Sequence, residues 1–112
     1  MVRYIPKQGD VVFLDFNPVK GHEQKGKRPA IVLSNNTFNK YTKMIFACPI
    51  TSNIKYFPTH FELQSTKKIK GSVLCEHFRS LDFNARNIKF IERVSDEEIL
   101  SVISLVNACI ME

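Results

Sequence analysis

The chain has 112 residues, 44% of them hydrophobic and 24% charged, a composition that indicates one globular domain and excludes disordered, fibrous and collagen-like chains. Its 16 basic and 11 acidic residues give a net charge of +5, a mild bias toward polyanionic partners. No apolar run reaches the roughly 18 residues of a membrane span, and no apolar signal core precedes the first predicted strand. We therefore expect a single domain over residues 1–112, located in the cytoplasm and without membrane contact.

Short strands are predicted along most of the chain. Residues 10–16 alternate apolar side chains to one side, which is typical of a strand. The continuous apolar run at 29–34 predicts a strand that is buried on both faces, with Pro29 at its first position, where a missing donor is tolerated. Residues 35–42 are expected to form a connector that could hold one helical turn. Further strands are predicted at 43–50, 59–63, 71–76, 79–83 and 88–94.

The last part of the chain changes its period from strand to helix. Ser95 and Glu98 have the spacing of a capping box, and acidic residues occupy the first turn, where the helix dipole favours them. A broad apolar face follows, made of Ile99, Val102, Ile103, Val106 and Ile110. Several short strands and one terminal helix predict a mainly β fold, a small and mostly antiparallel barrel against which the helix packs.

The cysteines give no sign of a metal site or a redox motif. Cys48, Cys75 and Cys109 are far apart, and no CxxC pair is present. All three lie in apolar surroundings, so we expect buried, reduced thiols. The sequence predicts no metal and no cofactor.

The loop "GHEQKGKRP", residues 21–29, is the first candidate site. Its glycines allow a tight fold-back, and Pro29 pushes Arg28 toward an extended backbone at the start of a buried strand. A guanidinium held there suits a phosphate, although a salt bridge from Arg28 to Glu23 would serve a structural role equally well.

The segment "CPITS", residues 48–52, is the second. Thr51 and Ser52 follow an apolar strand at its end, where hydroxyls either donate to a phosphate oxygen or form a local turn. Nearby, Tyr56 and Phe57 could stack on bases, with core packing the expected fate of Phe57.

Together, "GDVVFLDFNPVKGHEQKGKRPAIVLS", "CPITS", "YFP" and "RSLD" resemble the MazF/PemK family of toxin endoribonucleases over nearly the whole chain. The resemblance implies an SH3-like barrel of the CcdB/PemK type that forms a homodimer. It implies cleavage of single-stranded mRNA at short sequences, independently of the ribosome. It also implies inhibition by a cognate antitoxin protein, through which alone DNA would be contacted.

The resemblance also implies roles for individual residues. The family's catalytic Arg and Thr fall on Arg28 and Thr51, and its loop Glu on Glu23, our candidate for the general base. His22 stands where Ser is common, and could replace Glu23 as the base. His77 stands where Gln is common. The expected RNA-binding residues are His22, Lys25, Lys27, Ser52, Tyr56 and His77.

Two other classes of protein remain open at this point. A CcdB-like gyrase poison would share the fold, but that type relies on a Trp-Gly-Ile ending, whereas this chain ends "NACIME" and contains no Trp. A non-catalytic SH3-like binding module would not need Arg28 and Thr51.

Overall fold

The computed structural model describes residues 4–16, 26–53 and 56–111 of the chain. A short helix α1 (Asn36–Thr42) and a long helix α2 (Asp96–Ile110) accompany the strands, and 3₁₀ turns cover Cys75–His77 and Phe83–Arg86. The described strands are β1 (Asp10–Asp15), β2 (Lys27–Val32), β3 (Met44–Thr51), β4 (His60–Glu62), β5 (Ser72–Leu74), β6 (Arg79–Asp82) and β7 (Lys89–Arg93). The predicted mainly β architecture with a terminal helix is confirmed.

The described strands pair antiparallel in the order β4–β5–β3–β2–β1–β7, and the path between β4 and β7 is open. Strand β3 is long enough to hold two partners along one edge. Its residues 44–47 pair with β6, whereas Ile50 and Thr51 pair with β5. This division places the end of β3 at the junction of three strands, β2, β3 and β5.

Residues 30–32 of β2 are buried on both faces, as the apolar run predicts. Ile31 belongs to a core cluster that includes Val102 of α2, while Ala30 and Val32 belong to a second cluster with Leu14. All three β2 residues have no exposed surface. A strand that fills two cores is a rigid support for whatever its first residues carry.

Helix α2 begins as predicted, with half of the expected capping box. The Ser95 hydroxyl accepts a hydrogen bond from the Glu98 N–H at 3.2 Å. The Glu98 carboxylate does not return the bond to Ser95 but accepts from the N–H groups of Gln64 and Ser65, at 2.8 and 3.0 Å, and from the Ser65 hydroxyl at 2.5 Å. Ser95 donates its own N–H to the Ser65 hydroxyl at 3.0 Å. The start of the helix is therefore bound to the chain that follows β4.

The structure corrects three expectations. The connector at 35–42 contains a seven-residue helix, because the Asn35 side chain caps it by accepting from the Phe38 N–H at 2.8 Å. Cys109 is exposed, unlike the buried Cys48 and Cys75. Ile110 is 70% exposed, since residues 107–111, the last turn of α2 and its cap, contain no buried side chain.

Candidate active site

Arg28 is the second residue of β2 and is half-buried, opposite Leu14 of β1. Just before the strand, Gly26 has φ 81°, in the left-handed region that favours glycine. The Gly26 carbonyl accepts a hydrogen bond from the Phe16 N–H at 2.9 Å. This bond joins the end of β1 to the start of β2, so the backbone that carries Arg28 is held in place by its neighbour strand.

Thr51 is the last residue of β3, half-buried and paired with Ser72 of β5. Its hydroxyl oxygen accepts a hydrogen bond from the Asn53 N–H at 3.1 Å, the local turn that the sequence left open. A hydroxyl that accepts in this way keeps its own hydrogen to donate. The turn and the phosphate contact are therefore compatible roles for the same side chain.

Gly71 allows the backbone at Thr51 to lie close to its neighbour strand. A Cβ at Gly71 would lie 2.2 Å from the Thr51 carbonyl oxygen, and Gly71 has φ 154°, at the limit of the left-handed region. Only glycine fits this approach without a shift of the end of β3.

The register of β2 and β3, continued beyond its last paired residues, predicts that Arg28 and Thr51 face each other. Ala30 lies opposite Pro49 in this antiparallel pair. Continued by two residues toward the start of β2, the same register places Arg28 opposite Thr51, and alternation puts both side chains on the same face. Directly opposed residues have Cβ atoms about 4.5–5.5 Å apart. We therefore expect a guanidinium and a hydroxyl donor to lie close together at the end of the β2–β3 pair.

Lys27 is exposed and lies on the opposite face from Arg28, since adjacent residues of a strand alternate. Its partner across the ladder is Asp15. Both residues line a cavity of about 450 Å³ whose other lining residues include Arg86 and Lys89. The structure does not bring Lys27 to the face that carries Arg28.

Ser52 and Tyr56 are exposed, Tyr56 by 86%, and both lie close in sequence to Thr51. Phe57 is 54% exposed, so the expected core packing of this ring is wrong. His77 is half-buried in the 3₁₀ turn after β5. Glu23, His22 and Lys25 lie outside the described residues.

Three further residues belong near this face, although the sequence reasoning did not single them out. Arg79 of β6 donates from Nη1 to the Phe16 carbonyl at 3.1 Å, with its guanidinium 5.6 Å from the centre of the Phe16 ring. A second guanidinium therefore sits at the end of β1. The side chains of His60 and Glu76 also meet, with His60 Nε2 2.8 Å from a carboxylate oxygen of Glu76. Of these three residues, Arg79 alone lay in a segment that carried the family resemblance, "RSLD".

Within residues 4–16, 26–53 and 56–111, no group of three His, Cys, Asp or Glu side chains has the arrangement of a metal site. In the same part of the chain, no helix is long and apolar enough to cross a membrane.

Comparison with known proteins identifies the family. Residues 7–110 match the model of the PemK-like, MazF-like toxins of type II toxin–antitoxin systems. The endoribonuclease toxin MazF of Escherichia coli (strain K12) is 34% identical over 108 residues, which cover 96% of each chain. The crystal structure of MazF (Form-I) from Deinococcus radiodurans superposes with a TM-score of 0.90 at 36% identity, covering 96% of this chain and 97% of that one. A MazE–MazF structure (Form-II) from the same organism has a TM-score of 0.82 at 31% identity and covers 96% of each chain.

The chain belongs to the PemK/MazF family of type II toxin–antitoxin toxins. The family that the sequence motifs indicated is confirmed, and so is a mainly antiparallel β fold with a C-terminal helix that matches the MazF structures.

Proposed function

We propose that the protein is an endoribonuclease toxin that cleaves single-stranded mRNA at specific short sequences, without the ribosome, in the cytoplasm. The observation that carries this proposal is the β2–β3 register, in which Ala30 lies opposite Pro49. Continued by two residues, it puts Arg28 opposite Thr51. A fixed cation beside a hydroxyl donor is the arrangement that a phosphodiester undergoing substitution requires. A non-catalytic module would have no use for it.

The proposed reaction is attack by the RNA 2′-hydroxyl on the adjacent phosphorus. The bond from the 2′-oxygen to phosphorus forms while the bond from phosphorus to the 5′-oxygen breaks. The 2′-hydroxyl gives its proton to a base, and the 5′-oxygen takes up a proton as it leaves. Arg28 stabilises the charge that grows on the non-bridging oxygens, and Thr51 holds one of them by its hydroxyl hydrogen. The products carry a 2′,3′-cyclic phosphate and a 5′-hydroxyl.

Glu23 is the proposed general base, and His22 is the alternative. Histidine titrates near neutrality, so a catalytic His22 would produce an acidic limb near pH 6–7 in the rate profile. Single-turnover cleavage of one oligonucleotide from pH 5 to 9 separates the two. Loss of that limb in His22→Ser, with Glu23→Gln still active, would move the role to His22.

The proposed partners are single-stranded RNA, a cognate antitoxin and a second copy of the chain. The likeness to the MazE–MazF structures supports a protein antitoxin. Lys25, Lys27, Ser52, Tyr56, His22 and His77 remain the proposed RNA-binding residues, with Lys27 reaching RNA from the opposite face of β2.

Digestion of a long RNA by the purified protein in EDTA tests the function. We expect cuts at a short recurring sequence, with 5′-hydroxyl ends that accept phosphate from a kinase without prior dephosphorylation. A 3′-hydroxyl product, or activity that chelator abolishes and an added metal restores, would overturn the mechanism. No cleavage of any RNA would overturn the function.

A further inference from the structure

An aromatic surface lies beside the candidate active site. The Phe57 ring is 54% exposed, and its centre lies 5.3 Å from the centre of the His60 ring at an angle of 44°. The His60 N–H donates to the Phe57 carbonyl at 2.9 Å, which holds the two residues together through the backbone. We call these two rings the platform.

The Glu76 carboxylate orients the platform through contacts with His60 and with Thr59, the residue before it. One carboxylate oxygen lies 2.8 Å from His60 Nε2, and the other accepts from the Thr59 hydroxyl at 2.7 Å. Burial acts to raise the pKa of Glu76, but the hydrogen bonds from Thr59 and His60 outweigh it and the pKa is lowered. Both oxygens of the carboxylate are thus committed to orienting the segment that carries the platform.

The strand registers place the platform on the face of the active site. Thr51 lies opposite Ser72 of β5, and Ser72 lies opposite Glu62 of β4. His60 is two residues from Glu62 along β4, so it shares the face of Glu62 and Thr51. Two strand spacings across the sheet and two residues along it separate His60 from Thr51 by about 12 Å. A single strand of RNA bound at Thr51 can therefore also reach the platform.

The electrostatics select which part of an RNA the platform can hold. The Glu76 carboxylate, 2.8 Å from His60 Nε2, balances a positive charge on the imidazole, so a phosphate gains no net attraction there, whereas the uncharged face of a base needs none. Aromatic and imidazole rings are the surfaces on which proteins stack unpaired bases. Phe57 contributes little to the core at this exposure, so burial does not account for its position.

We infer that Phe57 and His60 form a stacking site for one unpaired nucleobase next to the cleaved bond, and that Glu76 is a positioning residue for this site. The inference rests on the proposed function, because its ligand is the RNA that Arg28 and Thr51 would cleave. The site sets where the RNA lies and which flanking base is preferred. It takes no part in the bond-breaking step.

The test uses a 2′-O-methylated oligonucleotide that contains the mapped cleavage sequence and cannot be cleaved. 2-Aminopurine replaces one base at a time, since its fluorescence is quenched by stacking. We expect quenching at one flanking position in the wild type and its loss in Phe57→Leu. The Kd should rise roughly 5- to 150-fold, as the loss of one base–aromatic stack predicts. Tyr41→Leu is the matched control, because Tyr41 is a 76% exposed aromatic residue on α1.

Cleavage kinetics with the unmodified oligonucleotide distinguish positioning from a structural role. Phe57→Leu and Glu76→Gln should raise KM and alter the preferred flanking base, while the rate at saturating RNA stays within about twofold. Thermal unfolding verifies that each variant is folded. Unchanged Kd, fluorescence and flanking preference in a folded Phe57→Leu, with the wild type still cleaving, would overturn the platform alone. Failure of the wild type to cleave any RNA would instead overturn the proposed function.

Discussion

Thr51 combines two roles that its sequence context left as alternatives. Its oxygen accepts from the Asn53 N–H, which sets the side chain at the end of β3, and its hydrogen stays available for a phosphate oxygen. Ser72 and Gly71 hold the backbone around it, the first by strand pairing and the second by leaving room for the Thr51 carbonyl.

Replacing Thr51 tests this double role. Thr51→Val keeps the shape but removes the hydroxyl, so single-turnover cleavage should fall about 10- to 100-fold, somewhat less than a full oxyanion donor costs. Thr51→Ser keeps the hydroxyl and should retain most of the rate. A Thr51→Val variant that cleaves at the wild-type rate, with the loss confined to Thr51→Ser, would show that the methyl packing matters and the hydroxyl does not.

For individual residues, the sequence predicts those whose positions are marked by their immediate neighbours in the chain. Arg28 and Thr51 were singled out because a loop with Gly and Pro and a strand end mark their backbone positions, and the family resemblance then implied their roles. The contact between His60 and Glu76 was not predicted. These residues are 16 positions apart and meet only through the pairing of two three-residue strands. Phe57 is exposed because β4 begins only at His60, which leaves Phe57 outside the strand.

The start of α2 is secured by a carboxylate that the sequence assigned to a different bond. Glu98 is buried and accepts three hydrogen bonds from Gln64 and Ser65. These partners precede the helix by more than thirty residues, so no local pattern could reveal them.

Glu98→Ala should therefore destabilise the protein by about 2 kcal/mol, since it leaves charge-assisted donors without their acceptor. For a chain of this size the midpoint of thermal unfolding should fall by roughly 10 °C. Glu97→Ala, in the same helical turn but exposed, is the control and should change little. Equal midpoints for the two variants would contradict the assigned role of Glu98.

A second carboxylate organises the basic segment 67–70. Glu92 of β7 accepts from the N–H groups of Lys67, Lys68 and Ile69 at 2.9, 2.9 and 2.7 Å. Burial acts to raise the pKa of Glu92, but these backbone hydrogen bonds outweigh it, and the pKa lies below its ordinary value. The backbone of this segment is thus held against β7, and its lysines are exposed.

This shift gives a stability difference that depends on pH. Because the folded pKa of Glu92 is lowered, its contribution is full above the unfolded value of about 4.3 and is lost as the pH falls through the folded value. Urea unfolding of wild type and Glu92→Gln should therefore differ at pH 7 and converge toward pH 3. A gap that stays constant over this range, or that widens in acid, would contradict the assignment. Glu97→Gln is the control.

The elements themselves were largely predictable, because period-two alternation and continuous apolar runs depend on neighbours in the sequence. The predicted strands at 59–63 and 71–76 are shorter in the structure, His60–Glu62 and Ser72–Leu74. The length of helix α1 was underestimated, since Thr37 and Asn39 are poor helix formers. Tertiary contacts stabilise this helix instead. The buried Asn39 donates to the Pro6 carbonyl at 2.8 Å and lies 2.5 Å from the Ser34 hydroxyl.

At the scale of the molecule, helix α2 and its C-cap carry apolar surface that the described fold does not cover. Leu100, Ile110 and Met111 are 62–70% exposed. An apolar surface of this kind is typical of an interface. We expect light scattering to give about twice the chain mass of 12.9 kDa at micromolar concentration. A mass equal to one chain under those conditions would contradict the proposed homodimer.

The proposed reaction depends on Arg28 lying opposite Thr51, as the β2–β3 register predicts. The cleavage rate of Arg28→Ala is the most direct test of this proposal. The measurement is single-turnover cleavage of one oligonucleotide in EDTA, with thermal unfolding in parallel and Lys40→Ala, an exposed lysine of α1, as the charge-matched control. Removal of a charge stabiliser should lower the rate at least about a hundredfold while the unfolding midpoint stays near that of the wild type. A folded Arg28→Ala that cleaves at nearly the wild-type rate would contradict the account.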